Sequence, residues 1–202
     1  MNLPTRVLAS AALALAVGGC SLGGLLGGGG KAPATLLTLT PEIASPGEFE
    51  RAANAGQAVT INTPVTGKDL HTVRVPVQVT PTDVQYVTHA QWVDTPDRLF
   101  QNLLSETVRR RTNRVVLDPR QTGLDPGLIV SGELQRFGYD AATGQVLVRF
   151  DGALSTAGGT RVETRRFEAT APSDGSAQSV GPALNRAANE VAIKLADWIG
   201  SR

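Results

Sequence analysis

The chain has 202 residues, 19 of them basic and 18 acidic, for a formal net charge of +1. That balance leaves no electrostatic footprint for nucleic acid, and aromatic residues at 4% supply no row of base-stacking platforms. A hydrophobic content of 41% is enough for one core in a single domain of ordinary size, while 22 glycines leave room for loops and linkers.

The first element is a leader. Asn2 to Arg6 is a short segment charged at Arg6, Val7 to Ala16 is almost entirely Val, Leu and Ala, and Val17-Gly18-Gly19 leads into Cys20, the single cysteine. This is the order of a secretory signal: charged, apolar, then small at the cleavage site. The apolar run falls short of the roughly 20 residues that span a bilayer, so residues 1–19 are expected to be removed. Small residues before a cysteine resemble the bacterial lipobox. That resemblance implies a diacylglyceryl thioether on Cys20, cleavage before it, and acylation (as with palmitate) of the new amino terminus. The other reading is an ordinary signal peptide with a chance cysteine. It would leave an unpaired thiol in an oxidising compartment, which is unusual. Each buried methylene contributes about 0.8 kcal/mol and stable anchoring needs more than one chain, a condition three acyl chains meet. Ser21 stands where an Asp is associated with inner-membrane retention, so the resemblance points to the periplasmic face of the outer membrane.

Residues 20–35 then carry the acylated cysteine and a Gly-rich tether, whose root-mean-square reach is about 20 Å. Gly30-Lys31 is no phosphate loop: Leu25 occupies the leading glycine position and Ala32 replaces the Ser or Thr that would bind magnesium. The folded domain is expected over 36–202. Leu36 to Thr40 reads as a short strand ended by Pro41, and 41–57 as loop with a helical turn near Glu48 to Asn54. Ala58 to Thr63 is a second strand, followed by turn chemistry at Thr66-Gly67-Lys68-Asp69. His71 to Val79 alternates, with Val73, Val75, Val77 and Val79 on one face. Pro76 cannot donate to a ladder, so this strand is expected at an edge or bulged. Asp83 to Val93 is a further strand.

Thr95 is an N-cap with Pro96 at N1 and Asp97 in the first turn, opening a helix to about Thr112. Its apolar stripe is Leu99, Phe100, Leu103, Leu104 and Val108. Arg114 to Leu117 is a short strand. Gly127 to Thr170 reads as a three-stranded antiparallel meander with turns at 140–144 and at Gly158-Gly159. In its third strand Val162 and Phe167 have opposite parity, which calls for a bulge or a partly exposed strand. A last helix is expected from Gly181-Pro182 to just before Gly200, with Leu184, Ala187, Ala188, Val191, Leu195, Trp198 and Ile199 as its apolar stripe. Two amphipathic helices and a mostly antiparallel sheet make a two-layer α+β domain.

The chemistry is sparse. The expected domain at 36–202 has no Gly-x-Ser-x-Gly elbow and no His-Glu-x-x-His, and acylation of Cys20 removes the thiol. His71 and His89, on separate expected strands, lack the close spacing of a zinc site. No enzyme, metal site or further cofactor is expected. The arginines at 109, 110, 111 and 114 could contact anionic headgroups at about 1 kcal/mol per charge, but a solvated helix end in favourable dipole orientation accounts for them. Trp92, just before a helix that packs on its own sheet, reads as core rather than as a partner contact.

Tyr86-Val87-Thr88-His89-Ala90-Gln91-Trp92-Val93-Asp94, followed by the helix from Pro96, resembles the ABC-type transport auxiliary lipoprotein component family, the PqiC-like proteins that accompany Mce-domain lipid transporters. Leu37-Thr38-Leu39-Thr40-Pro41 matches that family's early strand, and the meander and Ala-rich last helix follow in order over residues 36 to 199. The segment after Pro76 departs from it by lacking a longer Pro-Tyr-Leu-type loop. The resemblance implies a non-enzymatic accessory subunit, held on the outer membrane by its lipid and docking on an Mce-domain protein of an ABC lipid transporter. It leaves homo-oligomerisation open. The alternative from another class is a structural lipoprotein assisting an outer-membrane barrel or a lipopolysaccharide export complex.

Overall fold

The computed structural model of the protein describes residues 35–47, 50–120, 125–156 and 158–202. Cys20, the leader and the tether up to residue 34 lie outside the described residues, as does Glu48 at the start of the expected helical turn. In chain order the elements are β1 (Ala58–Ile61), β2 (Val65–Thr66), a 3-10 turn (Lys68–Leu70), β3 (Arg74–Thr80), β4 (Asp83–Gln91), α1 (Pro96–Arg111), β5 (Val115–Leu117), β6 (Gly127–Asp140), β7 (Gln145–Thr156), β8 (Val162–Pro172) and α2 (Ala177–Gly200).

The long strand β6 is the spine of the sheet. One of its edges pairs antiparallel with β7, from Leu128 opposite Thr156 to Asp140 opposite Gln145, and β7 pairs antiparallel with β8. The other edge of β6 is shared in succession by three short parallel partners: β1 at residues 127–130, β2 at Glu133 and Leu134, and β3 at Tyr139 and Asp140. β5 adds to β1 in parallel and β4 to β3 in antiparallel. The fold is therefore α+β, as expected, with a sheet that is mixed and not purely antiparallel. Antiparallel neighbours announce themselves by the hairpin between them, whereas parallel ones are joined across long stretches of chain. That is why the meander was legible and the parallel pairings of β1, β2 and β3 with β6 were not.

Three local expectations need correction, and one choice between two is settled. Leu36 to Thr40 is not a strand: only Leu37 forms a bridge, parallel to Trp92. Residues 50–54 form no helical turn. Of the two settings expected for Pro76, an edge or a bulge, the structure has the bulge, since β3 lies between β4 and β6. The proline is accommodated by a register shift: Arg74 pairs with Gln91 but Pro76 with Tyr86, so β4 bulges and His89 takes a φ of 60°. Finally, α2 starts at Ala177, well before Gly181-Pro182. The Ser176 hydroxyl accepts the Ser179 N–H at 3.3 Å, and this cap outranks proline as the start signal. In β8 the parity conflict resolves as exposure. The β7–β8 register runs without a shift, Val162 is 60% exposed and Phe167 is buried.

Both helices contribute to one core with the sheet. α1 buries Leu99, Phe100, Leu103, Leu104 and Val108, and α2 buries the whole expected stripe from Leu184 to Ile199. Trp92 is 1% exposed and stacks in a tilted arrangement on Phe137 at 5.4 Å; Phe100 meets Phe137 and Phe150, and Phe167 meets Trp198. Trp92 is thus a core residue. The side chains of β7 and β8 that alternate with the core carry cross-strand ion pairs, Arg149 with Glu168 and Arg166 with Asp151.

Candidate functional site

The segment that leads from the tether into the domain is fixed without belonging to any strand. Residues Leu37 to Ile43 form a strap along β4, α2 and α1. At its start the Leu37 N–H donates to the Gln91 carbonyl at 2.7 Å and its carbonyl accepts from the Val93 N–H at 2.9 Å. The Leu37 side chain lies over Gly181 of α2; a Cβ at that glycine would stand 2.6 Å from Leu37 Cδ2. The small residue is what lets the strap sit against the helix.

Further along, α2 holds the strap through two amides. Asn185 and Asn189 are four residues apart and so share a helix face. The Asn189 Oδ1 accepts the Glu42 N–H at 2.8 Å while its Nδ2 donates to the Thr40 carbonyl at 2.9 Å and to the Asn185 carbonyl at 2.8 Å. The Asn185 Oδ1 accepts the Thr40 N–H at 2.9 Å, and its Nδ2 donates to Glu42 Oε1 at 3.3 Å. At the strap's end the Arg110 guanidinium donates to the Ile43 carbonyl at 2.7 Å. Asn189 is only 1% exposed, so its polar atoms need these partners. Sequence reading took α2 as an apolar stripe and missed the clamp; an Asn between Ala188 and Val191 was the one available signal.

Leu39 and Pro41 of the strap also wall a cleft of about 730 Å³ whose other side is the polar face of α1 and residues Leu117 to Arg120. Two of its carboxylates are taken by neighbouring guanidinium groups. Glu106 pairs with Arg110 at 2.7 Å and Arg109 at 3.4 Å. Asp118 pairs with Arg120 at 2.8 Å, and that hydrogen bond holds its carboxyl well below the usual carboxylate range.

The expected basic helix end is likewise engaged within the chain. Arg111 forms a two-pronged pair with Asp197 of α2, at 2.5 and 3.0 Å, and Arg114 donates to the Arg202 carbonyl at 2.8 Å. Arg51 caps the end of α1, with its guanidinium on the carbonyls of Arg109, Thr112 and Arg114. The arginines thus tie α1 to α2, to the strap and to the C-terminus. His71 lies just past the 3-10 turn, and His89 sits in the bulge of β4; both are exposed. Among the described residues no group of three or more His, Cys, Asp or Glu is placed to hold a metal ion, and no helix is long and apolar enough to cross a membrane. Cys20, the lipid-attachment candidate, lies outside the described residues.

Comparison with known proteins gives one sequence match and a set of structural ones. The family described as "ABC-type transport auxiliary lipoprotein component" matches residues 38–196. No curated protein matches the chain. Among solved structures, the crystal structure of a Xanthomonas campestris protein of the DUF330 family is 17% identical; the superposition covers 83% of this chain and 95% of that one, with a TM-score of 0.70. A second crystal structure, of an uncharacterized protein, is 12% identical over 75% of this chain and 95% of that one, with a TM-score of 0.57. At these identities the likeness is one of fold.

Proposed function

The chain belongs to the ABC-type transport auxiliary lipoprotein component family, and from that membership we propose that it is a non-enzymatic accessory subunit of an Mce-type ABC lipid transporter. In this reading it is held at the periplasmic face of the outer membrane by acyl and diacylglyceryl groups on Cys20. The observation that carries the reading is the pairing of a family match over residues 38–196 with a lipobox-like Val17-Gly18-Gly19-Cys20 directly upstream. The strap supports it as well, because the chain arriving from the anchor is fastened to both helices and to the sheet edge. A tethered subunit needs only modest affinity for its partner, since the tether supplies effective concentration.

The test is site-specific photocrosslinking from exposed positions of α1 and the meander in intact cells. The expected outcome is recovery of an Mce-domain protein with the acylated chain. Recovery of a barrel or lipopolysaccharide-export component in its place would transfer the protein to the structural-lipoprotein class, and recovery of neither would remove the transporter assignment.

A further inference from the structure

We propose that the Asn185–Asn189 pair of α2 is a main-chain-reading clasp for the strap, and that this clasp sets how far the domain rides from its anchor. The clasp itself is argued from geometry alone; its role in setting the distance rests on the anchoring reading above.

An amide side chain has the same donor and acceptor as a peptide group. In an extended chain the carbonyl of one residue and the N–H two residues on point to the same side. Asn189 meets that pair, Thr40 O and Glu42 N, with its Nδ2 and Oδ1. A helix residue thereby does what a neighbouring strand would do. Asn185 extends the reading to the Thr40 N–H. The clasp is therefore indifferent to the side chains at 40 and 42 for its main bonds, and selects position through Leu37 on Gly181. The bonds made by Asn185 and Asn189 belong to neither the strand pairings nor the helix ladders; opening the whole strap breaks, besides them, only the main-chain bridge of Leu37 to Gln91 and Val93 and the Arg110 bond to Ile43.

Opening it has a mechanical consequence. With the strap closed, a pull on the anchor meets the fold at Leu37; with it open, the pull meets the fold beyond Ile43. The seven residues released lengthen the stretched link by about 24 Å, at 3.3–3.6 Å per residue. The closed clasp keeps the link short.

The experiment uses the full acylated protein in vesicles of phosphatidylethanolamine and phosphatidylglycerol, wild type against Asn189→Ala. Hydrogen exchange reads the amides of Thr40 and Glu42, and energy transfer from a dye on A142C to a headgroup acceptor reads the distance. Slow exchange of both amides in the wild type, at least tenfold faster exchange in N189A with β6 and β7 still protected, and reduced transfer in N189A are expected. Wild-type strap amides that exchange as fast as an unstructured chain, or a variant that exchanges no faster, would overturn the clasp. Lost protection with unchanged transfer would overturn its role in setting the distance. If N189A also loses protection in β6 and β7, Glu42→Pro removes the strap's own donor without touching α2, and Thr40 is read in its place. Failure of the protein to float with the vesicles would count against the anchor, while strap exchange in solution would still decide the clasp.

Discussion

Thr107 is wholly buried in α1, yet its hydroxyl has no hydrogen-bond partner. A buried hydroxyl left unpaired costs about 1–3 kcal/mol against a matched apolar group. Thr107→Val, nearly isosteric, is therefore expected to leave stability unchanged or raise it by about 1 kcal/mol in urea denaturation. Asp197 is the opposite case. The hydrogen bond from Arg111 holds its carboxyl below the ordinary value of 3.8. A group whose folded-state value is depressed stabilises the fold above its unfolded value, and the contribution is lost as pH falls through the folded one. The pair is about half exposed, so Asp197→Asn should cost less than about 1 kcal/mol at pH 7. That gap should close as the pH is lowered through the depressed value, which a series of urea midpoints against pH would show. Neither residue could be picked out in the sequence: Thr107 reads as a polar interruption of an apolar stripe, and Asp197 finds Arg111 across 86 positions of chain.

Helix α2 shows both what periodicity gives and where it stops. Its stripe from Leu184 to Ile199 was legible because side chains three and four apart share a face, and all of those residues are buried. Its start was not, because Pro182 is an ordinary N-terminal marker used here in the interior. There it lacks the N–H that would reach the Gln178 carbonyl and crowds that carbonyl instead. Since Pro182 is exposed, Pro182→Ala removes no packing and should stabilise the fold by about 2–3 kcal/mol, the roughly 3 kcal/mol cost of an interior proline less up to about 1 kcal/mol for the freer unfolded chain, seen as a rise of several degrees in thermal melting. A fall would mean that the proline is needed to bend α2 onto the strap. The meander was legible for a comparable reason: each turn between β6, β7 and β8 carries its own Gly-containing signal. β1, β2 and β3 lack such a signal toward β6, since each meets it in parallel from far away in the chain.

For the molecule as a whole, anchoring and folding are separable. The core is assembled from α1, α2 and the sheet, all downstream of residue 57, and the anchor candidate is Cys20. Cys20→Ser should therefore shift the mature protein from the membrane to the soluble fraction while leaving its urea midpoint unchanged. Co-sedimentation and equilibrium unfolding of the same preparation check both halves. A lowered midpoint would mean that the segment ahead of the strap contributes to the fold.

Local signals in the sequence determined that two helices form, which of their faces are buried, that the last three strands form a meander, and that a lipobox-like cysteine precedes the whole. These depend on spacings of two to four residues and on turn chemistry, which a chain carries wherever it goes. The tertiary structure alone decided that β6 is shared by three parallel partners, and that the strap is held by Asn185 and Asn189 from 145 and 147 residues away. Main-chain N–H and carbonyl groups are the same at every residue, so which of them meet is settled only when distant segments pack against one another.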